Sequence, residues 1–335
     1  GDWLYFFTAY NGNIYRTKDP DNGKWEMFAN SMLLSQIGDF AVFTDTNGKV
    51  YCYYGCTNNN GVMFRELDPK NLLNPLGSPI VCPLVNPLKK DLKKAKTSSN
   101  RTETNGVSGS WMTKYNGKYY YQCTEAIKGF NKYGDVVYVS DSPFGPFTFA
   151  GNNPFSFIPE GYISGAVKGA TFADKYGNWW HIGSITAGTG RNLQTGMGLF
   201  PAGFDKDGNL FVNTDFADCP MVMPTGKVSN IDRLNPGWSV LSVDVTAQAS
   251  TAAYPENSAI DQDPNTYWSA RTGKRGEWLS VDLGSDCAVN ALQLNFVKNK
   301  LTPNVSYSAR AYQYHIEYST DGKRWKKMVD KTKNT

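Results

Sequence analysis

Five times the chain writes the same phrase, a tight-turn dipeptide followed by an aromatic strand: "YNGNIY" at 10, "TNGKVYCYY" at 46, "YNGKYYYQ" at 115, "KYGNWWHIG" at 175 and "KDGNLFVN" at 206. Asn-Gly and Asp-Gly supply the positive φ of a hairpin turn, and the alternating residues after each turn pack one face of a sheet. Second turn signals lie between the copies: "DPDNGKW" at 19, "LDPKNLLNPLGSP" at 67 and "SDSPFGPF" at 140. Two hairpins per unit make a four-stranded blade, and blades repeated radially make a β-propeller. The last copy follows closely on the fourth, so it reads as the outer half of blade four. Five blades are expected, with part of one lying outside this sequence. An ordinary β-sandwich with similar turns is the alternative. Aromatic residues at 14%, with 32 glycines and 17 prolines, favour strands and turns over helices in either case.

Several classes of function drop out. No apolar run approaches the roughly 20 residues that cross a bilayer. The opening "GDWLYFFTAY" lacks the layout of a signal peptide, so any export signal is expected to be already gone. With 34 basic and 30 acidic residues the net charge is only +4, and the dense basic stretch "KKDLKKAK" at 89–96 reads as a solvated loop. No basic face or nucleic-acid motif accompanies it, so no nucleic-acid partner is expected. None of the six cysteines forms a CxxC pair; Cys52 and Cys56 fall on one face of a predicted strand, as two buried thiols would. Two histidines, His181 and His315, are too few for a multi-histidine zinc site, and without a GxSxG elbow no serine–histidine triad is indicated.

Near residue 240 the texture changes to short strands around loops, with Tyr267, Trp268 and Trp278 as expected packing anchors. "DPNTYWS" (263–269), "GEWLSVDLG" (276–284) and "HIEYSTDGKRWKKMVD" (315–330) resemble the discoidin-like F5/8 type C family of β-sandwiches. The domains are therefore drawn as a propeller over 1–238 and a discoidin-like β-sandwich over 244–335. The sequence stops at Thr335, before the strands with which that family closes its sandwich, so either the chain is a fragment or the domain is incomplete. The resemblance implies a loop rim that binds sugars or lipids and often calcium. Asp261, Asp263 and Thr266 are the oxygen ligands it suggests, with loop shaping as their other role.

Residues 36 to 226 resemble the five-bladed propeller of glycoside hydrolase family 43. The matches are "FTDTNGKVYCYYGCTNN", "GSWMTKYNGKYYYQ", "GDVVYVSDSPFGPFTF", "KGATFADKYGNWWHIGS" and "GLFPAGFDKDGNLFVNT". That family cleaves plant-type glycans with inversion: one carboxylate is general base on a water, a second is general acid on the leaving oxygen, and an aspartate tunes the acid. The resemblance puts Ser108 where the acid belongs, and serine protonates no leaving group near neutral pH. It puts Ala41 where the tuning aspartate belongs, with Asp39 two residues earlier on the same strand face. Lys168 takes the family's histidine place in "AVKGATF", Arg191 its arginine place in "TAGTGRN", and the base falls on a strand before this sequence begins.

Two main readings follow. In the first, catalysis uses displaced carboxylates, with Asp39, Glu125 and Glu160 as candidates, His181 beside them, and Ser108, Trp111, Lys168, His181 and Arg191 as substrate-binding residues. Trp111 would stack on a sugar face, and Lys168 and Arg191 would favour an anionic sugar. Glu125 and Glu160 also read as solvated loop charges, and His181 as a satisfied strand histidine. In the second reading the propeller is a lectin, binding without turnover. A protein–protein platform is the third, since fold does not fix function. The resemblance implies an oligosaccharide or polysaccharide partner, a secreted, periplasmic or cell-surface bacterial setting, and no required cofactor beyond the suggested calcium.

Overall fold

The computed structural model of the chain describes residues 3–8, 11–30, 37, 39–54, 62–86, 108–127, 132–159, 163–187, 194–215, 221–234, 238–263, 266–296 and 312–334. It separates into two compact units, Gly1–Ala187 with Gln194–Trp238, and Gly188–Leu193 with Ser239–Thr335.

The first unit is a succession of antiparallel sheets with the arrangement of propeller blades. The first sheet holds β1 (Leu4–Phe7), β2 (Asn13–Thr17) and β3 (Glu26–Asn30) in that order. The second holds β4 (Ala41–Thr44), β5 (Val50–Tyr54), β6 (Val62–Asp68) and β7 (Asn71–Cys82). The third is built from β8 (Leu84–Val85), β9 (Ser108–Tyr115), β10 (Lys118–Ile127), β11 (Lys132–Ser140) and β12 (Phe147–Phe149), with β8 added parallel to β12 at the outer edge. The fourth holds β13 (Ile163–Ala173), β14 (Trp179–Ala187), β15 (Gln194–Phe204) and β16 (Leu210–Val212). Four such sheets stand among the described residues. Each of the five repeated phrases joins two neighbouring strands, and the fifth, between β15 and β16, closes the outer half of the fourth sheet.

The turns come in two chemistries. At Tyr115–Lys118 the two central residues Asn116 and Gly117 both have positive φ, 46° and 79°, the pattern of a two-residue hairpin loop. The turns beginning at Asp45, Asp174 and Asp205 are one residue longer. In each, the fourth residue, Gly48, Gly177 or Gly208, sits near φ 80° and its amide donates to the aspartate carbonyl. The aspartate side chain completes the turn. Asp174 accepts the amides of Tyr176 and Asn178 on one oxygen, and the Asn178 amide group and the Trp180 indole on the other.

Apolar clusters stack the sheets upon one another. Ile14, Cys52, Tyr54 and Leu67 join the first sheet to the second; Tyr51, Tyr53, Phe64, Tyr121, Cys123 and Tyr138 join the second to the third. Tyr120, Val137, Phe155 and Leu210 join the third to the fourth. A β-strand sends alternate residues to opposite faces, so β10 serves both junctions, Tyr121 and Cys123 one way and Tyr120 the other. Of the two cysteines read as one buried pair, Cys52 lies buried in β5 and Cys56 is outside the described residues.

In the second unit β17 (Thr246–Ala249) pairs with β18 (Leu279–Asp282), and β19 (His315–Tyr318) with β20 (Lys326–Asp330). Glu277 ties this unit's loops together. Its carboxylate accepts the hydroxyls of Ser250, Thr272 and Thr251 at 2.5, 2.6 and 2.8 Å, and these bonds hold it at a pKa of about 2. Trp268 donates its indole to the Thr251 carbonyl and Tyr267 packs on Tyr254. Trp278 is no packing anchor: it is half exposed on the edge of β18.

The Asp174 turn yields a test. Burial pushes the Asp174 carboxyl up, but the bonds from Trp180, Asn178 and Tyr176 outweigh it and hold the group at about 2. Its contribution is therefore present in full above the ordinary aspartate range near pH 4, and is lost as pH falls through 2. Asp174→Ala is expected to cost about 1 kcal/mol at neutral pH, a modest figure because the turn faces water, and to flatten the acid limb of a pH–stability curve measured by urea unfolding.

Candidate functional site

The inner strands of three successive sheets meet where β9 begins. The Ser110 amide donates to the Asp39 carbonyl at 3.3 Å, linking the second sheet to the third. On the other side Gly109, at φ 72°, lies so close to β13 that a methyl group there would sit 3.1 Å from the Lys168 Cα. Asp39, Ala166 and Lys168 all adopt the left-handed conformation, at φ 50°, 56° and 53°. For residues other than glycine that conformation costs on the order of 1 kcal/mol each, and such strain gathers at ligand sites. Asp39 is thus not on the strand, where the sequence register put it, but two residues ahead of β4, which starts at Ala41. The Asp39 carboxylate and the Lys168 ammonium are exposed, and neither side chain makes an ion pair or hydrogen bond among the described residues.

Beneath this surface runs a chain of buried polar groups whose direction is fixed at one end. The Trp111 indole and the Thr113 hydroxyl both donate to the Thr171 carbonyl, at 2.8 and 3.1 Å. Thr113 has then spent its proton and accepts the Gln122 amide group at 2.9 Å. That turns the Gln122 carbonyl toward the Thr171 hydroxyl, which donates to it at 2.8 Å. Thr171 in turn accepts from His181 Nδ1 at 2.9 Å, so Nδ1 carries a proton. The other ring nitrogen, Nε2, points toward Asp135 Oδ2 at 3.4 Å without hydrogen-bond alignment. Asp135 is buried and its carboxylate accepts the Thr124 hydroxyl at 2.5 Å and the Lys168 and Gly169 amides, each at 2.8 Å.

The structure places the residues singled out from sequence as follows. Ser108 opens β9, partly exposed, and pairs across the sheet with Thr124. Trp111 is half-buried with its indole nitrogen engaged at the junction of the third and fourth sheets. His181 is fully buried in β14 under the hub, packed edge-on against Phe155, so it supports the site from below. Glu125 is no solvated loop charge: it lies within β10, buried, and accepts the Tyr138 hydroxyl at 2.5 Å between the second and third sheets. Glu160 and Arg191 lie outside the described residues. In the second unit both Asp261 oxygens accept hydrogen bonds from the loop, one from the Asp263 amide and one from the Thr266 hydroxyl. Among the described residues no three His, Cys, Asp or Glu side chains stand together as a metal site, and no helix is long and apolar enough to cross a membrane.

Sequence reasoning passed over Asp135, Gln122, Thr113 and Thr171. The signal for Asp135 was present: an acid directly ahead of the apolar strand "VVYV" requires partners if it is buried.

Residues 244–335 match the model of the F5/8 type C domain. Over 317 residues the chain is 26% identical to an arabinoxylan arabinofuranohydrolase of Paenibacillus polymyxa, covering 84% of this chain and 45% of that protein. It therefore spans less than half the length of this relative. Similar solved structures include a Bacteroides ovatus protein described as "Xyloglucan PUL GH43B", at 18% identity, TM-score 0.47 and coverage of 61% of this chain and 37% of the other. A thermostable family-43 glycoside hydrolase is another, at 19% identity, TM-score 0.45 and coverage of 68% and 78%.

The directed chain predicts the effect of cutting it in the middle. Thr171→Val leaves the Gln122 carbonyl and His181 Nδ1 buried without partners, and is expected to cost about 2–4 kcal/mol in denaturant unfolding. Thr171→Ser, which keeps the hydroxyl, is expected to recover most of that loss.

Proposed function

We propose that this chain is a carbohydrate-active protein of the family-43 kind, whose propeller hub takes a polysaccharide-derived glycan while its F5/8 type C domain contributes further carbohydrate binding. The observation that carries the reading is the meeting of Asp39, Ser108–Ser110 and Lys168 at the inner edges of three sheets, with three left-handed residues holding the backbone there. Its similarity to an arabinoxylan-acting relative supports a pentose-rich plant glycan as the substrate class. A polysaccharide substrate also supports a secreted, periplasmic or cell-surface location.

The catalytic apparatus is non-standard in this reading. Inverting hydrolysis needs a protonated acid on the leaving oxygen and a base on water. Ser108 supplies neither, and Glu125 spends its carboxylate on Tyr138, so among the described residues Asp39 is the candidate carboxylate that faces open space. Losing a general acid costs about 10²-fold to 10⁴-fold on an unactivated leaving group. Turnover through Asp39 would accordingly be slow and greatest on glycosides with good leaving groups. The second reading, a lectin, is favoured by the same two facts, the hydroxyl at 108 and the burial of Glu125.

Lys168 refines the substrate. An exposed ammonium without a partner among the described residues favours a uronic or sulfated sugar through direct charge pairing. The deciding experiment incubates the protein for long periods with neutral, uronic and sulfated oligosaccharides, recording binding by calorimetry and products by mass spectrometry. Products that vanish in Asp39→Asn mark a hydrolase; binding without product marks a lectin; neither binding nor product overturns the proposal. Lys168→Ala is expected to weaken acidic oligosaccharides by about tenfold while leaving neutral ones within about twofold.

A further inference from the structure

We propose that Asp135, buried beneath the hub, is its positioning residue: by binding the Lys168 and Gly169 amides it holds Lys168 in the left-handed conformation that carries its side chain past Gly109. Lysine does not adopt a φ of 53° without support, because its Cβ crowds the following carbonyl. The support is visible. One carboxylate oxygen accepts the Lys168 amide, the other accepts the Gly169 amide, and both bonds are 2.8 Å long. The Lys168 amide is shared with the Thr124 hydroxyl at 2.8 Å, and that hydroxyl donates to Asp135.

Asp135 is itself rigid. Its amide donates to the Ser156 carbonyl at 2.9 Å, and its carbonyl accepts the Phe155 amide at 3.0 Å. From below, the peptide rests on His181, where a methyl group on residue 169 would come within 2.2 Å of Nε2; from above, Gly109 leaves the gap through which Lys168 passes. The peptide is thus clamped on two sides and bonded on a third. Charge-assisted bonds to a buried carboxylate are stronger than neutral ones, enough to offset the left-handed cost. The two amides go to different oxygens, so with asparagine at 135 one of them faces the side-chain NH2 group and loses its acceptor. The choice of cation at the hub therefore depends on an acid in the neighbouring sheet.

The first test needs no ligand. Amide hydrogen exchange of the full chain, followed by NMR, is expected to show the Lys168 and Gly169 amides exchanging at least about tenfold faster in Asp135→Asn, relative to the β5 amides of Tyr51 and Tyr53. Thr124→Val, a milder change, is expected to give a smaller loss at the same two amides. In a double-mutant cycle, Asp135→Asn is expected to lower stability less in a Lys168→Gly background, because glycine takes positive φ unaided. Unchanged relative protection, or the same destabilisation in both backgrounds, overturns the assignment.

The last arm rests on the hub being a glycan site. It compares a glucuronic-acid-bearing xylo-oligosaccharide with the same molecule reduced at its carboxyl group. Asp135→Asn is expected to weaken the acidic probe by about tenfold and the reduced one by less than about twofold. Equal losses on both would show that Asp135 does not set the place of the cation, and would overturn the proposal. If the wild type binds neither probe, the glycan reading of the hub fails, while exchange and the cycle still decide what Asp135 does.

Discussion

The Asp135 carboxylate lies almost out of reach of water, and much of the hub follows from satisfying it. A buried acid is tolerated only with a full set of donors. Here the donors come from the same sheet, through Thr124, and from the inner strand of the next sheet, through the Lys168 and Gly169 amides. β13 departs from regular geometry around these amides: its pairing with β14 shifts register between Gly165 and Val167 and again between Val167 and Ala170. Those irregularities bring Lys168 against Gly109. One buried charge thereby joins the third sheet to the fourth and sets what the fourth presents to the hub.

The polar chain from Thr113 to His181 complements this. Apolar clusters between sheets fix spacing but carry no direction, whereas a hydrogen-bond chain anchored on the Thr171 carbonyl has one consistent orientation. It also spends the Trp111 indole nitrogen, which fixes how that ring stands at the junction. Rigid placement of a few polar groups on strand ends is what a ligand site of modest charge requires.

The repeating architecture was legible because it is written locally. Turn dipeptides and strand alternation act over fewer than ten residues, so "YNGKYYYQ" and "KYGNWWHIG" reveal β9–β10 and β13–β14 directly. The three-aspartate turn chemistry was half legible, since the glycines were seen and the aspartates three residues earlier were not. The hub was legible only in part. Ser108 and Lys168 stood out by resemblance, and the structure puts them on the inner strands of neighbouring sheets. Asp39 was read as a strand residue because period-two counting assumes extended backbone, which its left-handed φ violates. Glu125 looked like a loop charge because "QCTEAIKG" loses its aromatic signal before the strand ends at Ile127. Asp135 went unnoticed because its partners are backbone amides from 33 and 34 residues away, which no local pattern records.

In the proposed reading, the glycan meets this chain where the inner strands of the second, third and fourth sheets converge. Backbone amide shift mapping by NMR, with a mixture of neutral and acidic xylo-oligosaccharides titrated into the protein, tests it most directly. Saturable shifts are expected, concentrated at residues 108–111 and 166–169 and at Asp39, whether or not the sugar is cleaved. Shifts confined to residues 244–335, or none at all, would contradict it.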